Sequence, residues 1–240
     1  LSGLYFSWWS AYGTLTDEGS FEQQKSGLHG GYNTVPYDDQ AKALDIQSRL
    51  MMLGLQPDHL MRMGAFITVY GMFETTLERA LWTLREEGIK GVRPFTEKMN
   101  TEAQFKMLGE GSPKLSEKCN AILKVAAYAA GDLNEYRNSL VHGYMLSFGP
   151  DSVPSFMKNP GWHGEVRNKS VGDAYIDEPI QNLVLIAAWN LFILVRKVET
   201  VFTDNAALQA IEGMKEDVDR ASSNANEARH LRALMNHEKY

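Results

Sequence analysis

The chain has 240 residues, 44% of them hydrophobic and 22% charged, with a net charge of −6 and one cysteine. That composition suits a globular protein with a core of its own. It excludes an internal disulfide and a cysteine-rich metal centre, and it argues against coating nucleic acid through a broad basic surface. The longest apolar run, Leu183 to Val195, is interrupted by Asn190 and falls short of the about 20 residues a bilayer needs. No basic segment followed by an apolar one opens the chain, so the expectation is a cytoplasmic protein without membrane contact.

In chain order, residues 1–36 hold Tyr5, Phe6, Trp8, Trp9, Tyr12, Phe21 and Tyr32 around Gly30-Gly31, with no sustained period. They read as an irregular arm whose aromatics pack on the body, with base stacking as the competing use. Asp38-Asp39 start a short helix that Gly54 stops. Asp58 caps a longer one, in which Phe66, Tyr70, Phe73, Leu77, Leu81 and Leu84 recur at helical steps until Gly88 and Gly91. Glu74 and Glu78 flank that stripe, and a carboxylate there can orient a basic side chain, although a solvated flank is the simpler reading of Glu74 and still more so of Glu78.

A connector from Pro94 to Gly111 carries a short helix over Thr101 to Leu108. Ser112-Pro113 opens another helix, with Cys119 on its buried stripe as a small core residue, and Gly131 ends it. Asp132 to Glu135 has the form of a capping box, so a new helix is expected from Leu133 to Leu146. From Ser147 to Tyr175 the chain is polar and rich in Pro and Gly. It reads as a long loop with a short hairpin near Gly164–Arg167, within reach of a phosphate through His163, Arg167 and Lys169, although a solvated loop is the simpler reading of each. Glu178-Pro179 then opens the most apolar helix. Ile180, Val184, Ala187, Leu191, Leu194 and Val198 form its stripe, thickened by Leu185, Trp189, Phe192 and Ile193. After it come polar helix and charged residues, read as a surface arm. The fold class expected is all-α, in three parts: arm and short helix over 1–57, helical bundle over 58–203, polar helical tail over 204–240.

The chemistry gathers in Tyr136-Arg137-Asn138-Ser139-Leu140-Val141-His142-Gly143-Tyr144. At 100° per residue, Leu133, Tyr136, Leu140 and Tyr144 share the core face. Arg137, Val141, Met145, Asn138 and His142 share the opposite one. That face mixes Val, Met, Asn and His and lacks acids, which predicts a covering surface, most simply a second copy of the chain about a two-fold axis. Arginine holds phosphate oxygens with a permanently charged planar fork. Histidine moves protons near neutral pH. RNA supplies its own nucleophile, the 2′-hydroxyl, so the pair can cleave RNA without a metal. Acid plus base needs two imidazoles, and a dimer supplies both. No His-Glu-x-x-His or similar ligand spacing is present. Spacing alone is weak, because Arg232 and His237 repeat it near the C-terminus.

The context of the first pair resembles the HEPN superfamily. Its helical bundles carry Arg, four to six residues, then His, often with Asn directly after the Arg, as in Arg137-Asn138-Ser139-Leu140-Val141-His142. His142-Gly143-Tyr144 resembles the His-x-Tyr extension of toxins paired with minimal nucleotidyltransferase antitoxins, in which the tyrosine receives AMP. The likeness spans about residues 58 to 203, and Phe73-Glu74 resembles part of the family's early helix. It implies a homodimer that cuts RNA without a cofactor, leaving a 2′,3′-cyclic phosphate, in toxin–antitoxin or phage defence. By the same likeness His142 is the general acid and base, Arg137 the phosphate ligand and Asn138 a polar assistant. Tyr144 would be the modification target, and Glu74 remains an accessory group. Two alternatives stand beside this: a non-catalytic module binding RNA, nucleotide or a protein partner, and an unrelated bundle with a chance motif.

Overall fold

Two long helices that present apolar stripes to one another set the architecture. The structure is a computed structural model and describes residues 37–88, 91, 94–158, 172–204 and 206–237. The expected N-terminal arm and the loop residues His163, Arg167 and Lys169 lie outside these. The elements are α1 (Tyr37–Met52), α2 (Pro57–Leu84), a 3-10 turn (Phe95–Lys98), α3 (Thr101–Glu110), α4 (Glu117–His142), β1 (Tyr144–Leu146), β2 (Ser155–Lys158), β3 (Gly172–Tyr175), α5 (Glu178–Glu199), α6 (Ala207–Glu212) and α7 (Lys215–His237). The fold is all-α, with one small antiparallel sheet in the order β1-β2-β3.

α2 lies along α5 because each turns a stripe of large side chains inward. Phe66, Tyr70, Phe73, Leu77 and Leu81 of α2 meet Val184, Ala187, Leu191, Leu194 and Val198 of α5 in one continuous core. Each such side chain contributes about 1.5–3 kcal/mol on burial. By length and hydropathy α5 would also pass as a membrane span, longer than the 183–195 run suggests, but half of that window is buried within the protein. Thr83 Oγ1 donates to the Glu199 carbonyl at 2.9 Å and ties the two helix ends together.

Several local expectations are corrected. α2 is capped by Gln56, whose backbone N–H donates to His59 Nδ1 at 3.3 Å, with Asp58 inside the first turn. It ends at Leu84, before Gly88, where Glu86 takes a left-handed φ of 55°. α4 starts at Glu117, and Ser112-Pro113 precedes it in a separate turn. The Asn120 side chain holds that turn by accepting from Ser112 N at 3.1 Å and donating to Ser112 O at 3.0 Å. Ser116 is the N-cap, accepting from Cys119 N.

α4 then runs unbroken through Gly131 and Asp132. Its buried series Leu123, Ala126, Ala130, Leu133, Tyr136 and Leu140 keeps one helical period across the glycine, and packing outweighs the propensity cost of about 1 kcal/mol. Asp132 is no cap; its carboxylate lies 3.4 Å from Arg229 of α7.

The C-terminal polar segment is not a surface arm. Val218, Ala221, Ala225 and Ala228 are buried where α7 packs on α4 and α5, and Asn190 of α5 donates to the Asp217 carbonyl at 3.0 Å. Small residues at helical spacing, not large ones, carry this contact, so the hydrophobic pattern understated it. Conversely, Trp189 of α5 does not thicken the core but stands 46% exposed. On α1, Leu44 and Ile46 are also exposed.

The 147–175 stretch is not one open loop. β1 pairs with β2 through Met145 opposite Phe156, and β2 pairs with β3 through Phe156 opposite Ala174. The turn between β1 and β2 is pinned by Ser147 Oγ donating to the Leu53 carbonyl at 2.7 Å. Opposite it, Gly54, at φ 85°, admits no side chain, since a Cβ would sit 2.2 Å from the Ser152 carbonyl.

Candidate active site

The candidate stretch occupies the last two turns of α4 and the strand that follows. Leu133, Tyr136 and Leu140 face the core as the helical period requires. Tyr136 fixes this end of the helix by donating its hydroxyl to the Tyr175 carbonyl of β3 at 2.7 Å. Burial, then the nearby Asp177 carboxylate, pushes the Tyr136 phenol above its ordinary range, so it stays a donor. Ser139 is buried beside it and donates to the Glu135 carbonyl at 2.9 Å.

Turned away from the core is a polar chain of side chains that spans α4 and α2. Arg137 Nη1 donates to Asn138 Oδ1 at 3.0 Å. Asn138 Nδ2 donates to Asn134 Oδ1 at 3.4 Å, and the Tyr70 hydroxyl of α2 donates to the same oxygen at 3.3 Å. Arg137 Nη2 also lies 3.7 Å from Glu74 Oε2, with both side chains about 30% exposed. Arg137 is therefore held by two partners while its guanidinium, with five N–H donors, keeps capacity for an anion. Burial raises the Glu74 carboxyl from its ordinary value, and Arg137 opposes that rise. Burial, then Glu74, raises the Tyr70 phenol, with Arg137 again opposing.

His142 is the last residue of α4 and is exposed, as is its neighbour Val141. On a regular helix, five residues place it about 7.5 Å along the axis and 140° around from Arg137. One chain thus presents one arginine and one imidazole on neighbouring parts of the surface, not a convergent acid–base pair.

The helix stops at His142, four residues short of the expected Leu146. Gly143 leaves in extended conformation (φ −77°, ψ 152°) and passes tightly against β2. A Cβ there would come within 2.2 Å of the Ser139 carbonyl and 3.1 Å of Phe156. Two side chains consequently leave their expected faces. Met145 enters β1 and packs against the core, so only Val141 remains as an apolar group between the arginine and the imidazole. Tyr144, expected on the core face, is 54% exposed on β1.

Asn134 and Tyr70 were not singled out from the sequence. The four-residue step from Asn134 to Asn138 is a legible signal for the first, because such pairs meet on a helix surface. Tyr70 looks like any core aromatic until its hydroxyl partner is known. Among the described residues, no three His, Cys, Asp or Glu side chains group as a metal site. No protein-family model, curated protein or solved structure matches the chain.

Proposed function

We propose that the protein is a metal-independent endoribonuclease of HEPN type, acting as a homodimer whose composite site joins Arg137, Asn138 and His142 from two copies. The observation that carries the reading is the held arginine beside an exposed imidazole on an uncovered helix end. Asn138 and Glu74 restrain the guanidinium, so it meets a phosphate with little further ordering cost. His142 is exposed and free to reach a 2′-hydroxyl or a leaving 5′-oxygen.

In the proposed reaction one imidazole removes the 2′-hydroxyl proton, and the 2′-oxygen attacks the adjacent phosphorus. The second copy's imidazole protonates the departing 5′-oxygen. Arg137 holds the charge that accumulates on the non-bridging oxygens, and the product is a 2′,3′-cyclic phosphate. The likeness that suggests this chemistry also suggests defence or toxin–antitoxin work in the cytoplasm, with Tyr144 as the group an antitoxin modifies. The exposure of Tyr144 is compatible with such a modification.

The dimer is tested by concentration. Cleavage per chain should rise as the protein passes through its dimerisation range in sedimentation equilibrium. Val141→Asp, which alters no group with a chemical role, should shift both curves to higher concentration together. A monomer with undiminished cleavage would remove the composite site.

A further inference from the structure

On the side of α2 away from Arg137, a groove of about 670 Å³ runs between α2 and α5. Its walls are Gly71, Met72, Thr75, Thr76 and Arg79 of α2, with Phe192, Arg196 and Glu199 of α5. Two guanidinium groups face one carboxylate here, and that carboxylate, Glu199, is already engaged by Arg79. Arg196 is exposed and makes no ion pair among the described residues; it rests over the Phe192 ring at 6.0 Å. Half-exposed Trp189 leans on the same ring, with centroids 5.6 Å apart. An exposed guanidinium, the Thr76 hydroxyl and an exposed indole match the needs of a nucleotide strand: charge for phosphate, a hydroxyl for a ribose oxygen and a flat face for a base.

The groove also connects to the site. Gly71, the groove residue nearest the site, lies three residues before Glu74, which pairs with Arg137, and is about 60° from it around the α2 axis; the other α2 residues of the groove lie farther round, about 100° to 160° from Glu74. The ridge between them is low. A Cβ built on Gly64 or Gly71 meets nothing within 4 Å, and Thr68 and Thr75 turn their hydroxyls back to the carbonyls of Gly64 and Gly71. At Gly71 itself no side chain stands in the way, and exposed Met72 lies beside it in the groove.

We infer that the α2–α5 groove binds single-stranded RNA, with Arg196 on the phosphate backbone and Trp189 stacked on a base. This deepens the ribonuclease reading and rests on it for the identity of the strand. It also accounts for how a chain of net charge −6 can hold RNA, through a local seat and not through an overall field.

The test uses the full chain and a fluorescein-labelled mixed-sequence oligonucleotide of about 12 nucleotides. Every ribose is 2′-O-methylated, so the strand lacks its nucleophile and cannot be cut. Anisotropy should show binding that weakens with salt. Arg196→Ala should weaken it about tenfold and reduce the salt slope by about 0.7. Trp189→Ala should also cost about tenfold or more. Gly71→Leu should melt at a higher temperature than wild type, as expected for replacing a mid-helix glycine, yet bind about tenfold more weakly. A fold defect cannot produce that opposition.

Unchanged binding in Arg196→Ala and Gly71→Leu, or equal competition by an oligoglutamate of matched charge, overturns the groove. So does failure of wild type to bind at low salt. Cleavage of ordinary RNA in EDTA is read in parallel. Groove-dependent binding without cleavage keeps the groove and removes the nuclease. Cleavage without groove dependence does the reverse.

Discussion

α4 is one helix with two economies. From Glu117 to Leu133 its inner face is alanine, leucine, isoleucine and one cysteine, all buried, and the opposite face carries Lys118, Lys124 and exposed Tyr128. From Asn134 to His142 the inner face is still apolar, but the outer face is a half-buried polar chain joined to α2. The first half stabilises by area removed from water. The second holds side chains in place by hydrogen bonds, each with a net worth of only about 0.5–1.5 kcal/mol. Changes in the first half should therefore reach stability and leave chemistry alone, and changes in the outer face of the second half should do the opposite.

The largest stability effect is expected from Leu123→Ala, at a fully buried position. It should lose about 2–5 kcal/mol in urea unfolding, while RNA cleavage per folded chain at low temperature stays at the wild-type value. Asn134→Ala sits on the boundary between the two halves. It strips the acceptor from the buried Tyr70 hydroxyl and from Asn138. It should cost about 1–3 kcal/mol and also lower kcat, because Asn138 and then Arg137 lose their support. If kcat is untouched, the polar chain does not position the arginine.

A smaller effect carries a pH signature. Burial raises the Glu74 carboxyl above its ordinary value of 4.5, so its ionisation opposes folding. The stability it contributes is complete below the unfolded value and is lost as pH rises through the folded one. Arg137 counters that loss. Arg137→Ala should thus be nearly neutral at pH 4 and destabilised by about 1 kcal/mol or less at pH 8, as read from urea midpoints. Adding Glu74→Gln should flatten the dependence. An equal penalty at both pH values would mean that the 3.7 Å approach carries no coupling.

The smallest change should be a gain. Gly131→Ala, at a mid-helix position with open space, should raise stability by about 0.5–1 kcal/mol without altering cleavage. A loss of activity would show that the junction of the two halves flexes during turnover.

The two halves also differ in how far their sequence could be read. The apolar series from Cys119 through Leu140 was legible because burial imposes a strict period, and so were the stripes of α2 and α5. The boundaries were not. Gly131 and Asp132 have the local chemistry of a helix end, but the period continues beneath them and α7 packs alongside. The true end at Gly143 depends on the close approach of Phe156 from a strand thirteen residues later, a contact that no local pattern encodes. That single misplacement moved Tyr144 out to solvent and Met145 into the core. Arg137, Asn138 and Glu74 drew notice through residue type, whereas Tyr70 depends on where one hydroxyl points. The polar helix at the C-terminal end was legible, but its docking was not, because alanine bears most of α7's contact and alanine is no signal of burial on its own.

The most direct test of the central claim is cleavage of end-labelled, mixed-sequence RNA in excess EDTA by wild type, His142→Ala and Arg137→Ala side by side. The account predicts that wild type cuts and leaves 2′,3′-cyclic phosphate ends. Both variants should fall by about 10²-fold or more while keeping the circular dichroism of the folded bundle. Equal cutting by all three, or none by wild type at concentrations where it is a dimer, would contradict the assignment of Arg137 and His142 as the cleaving pair.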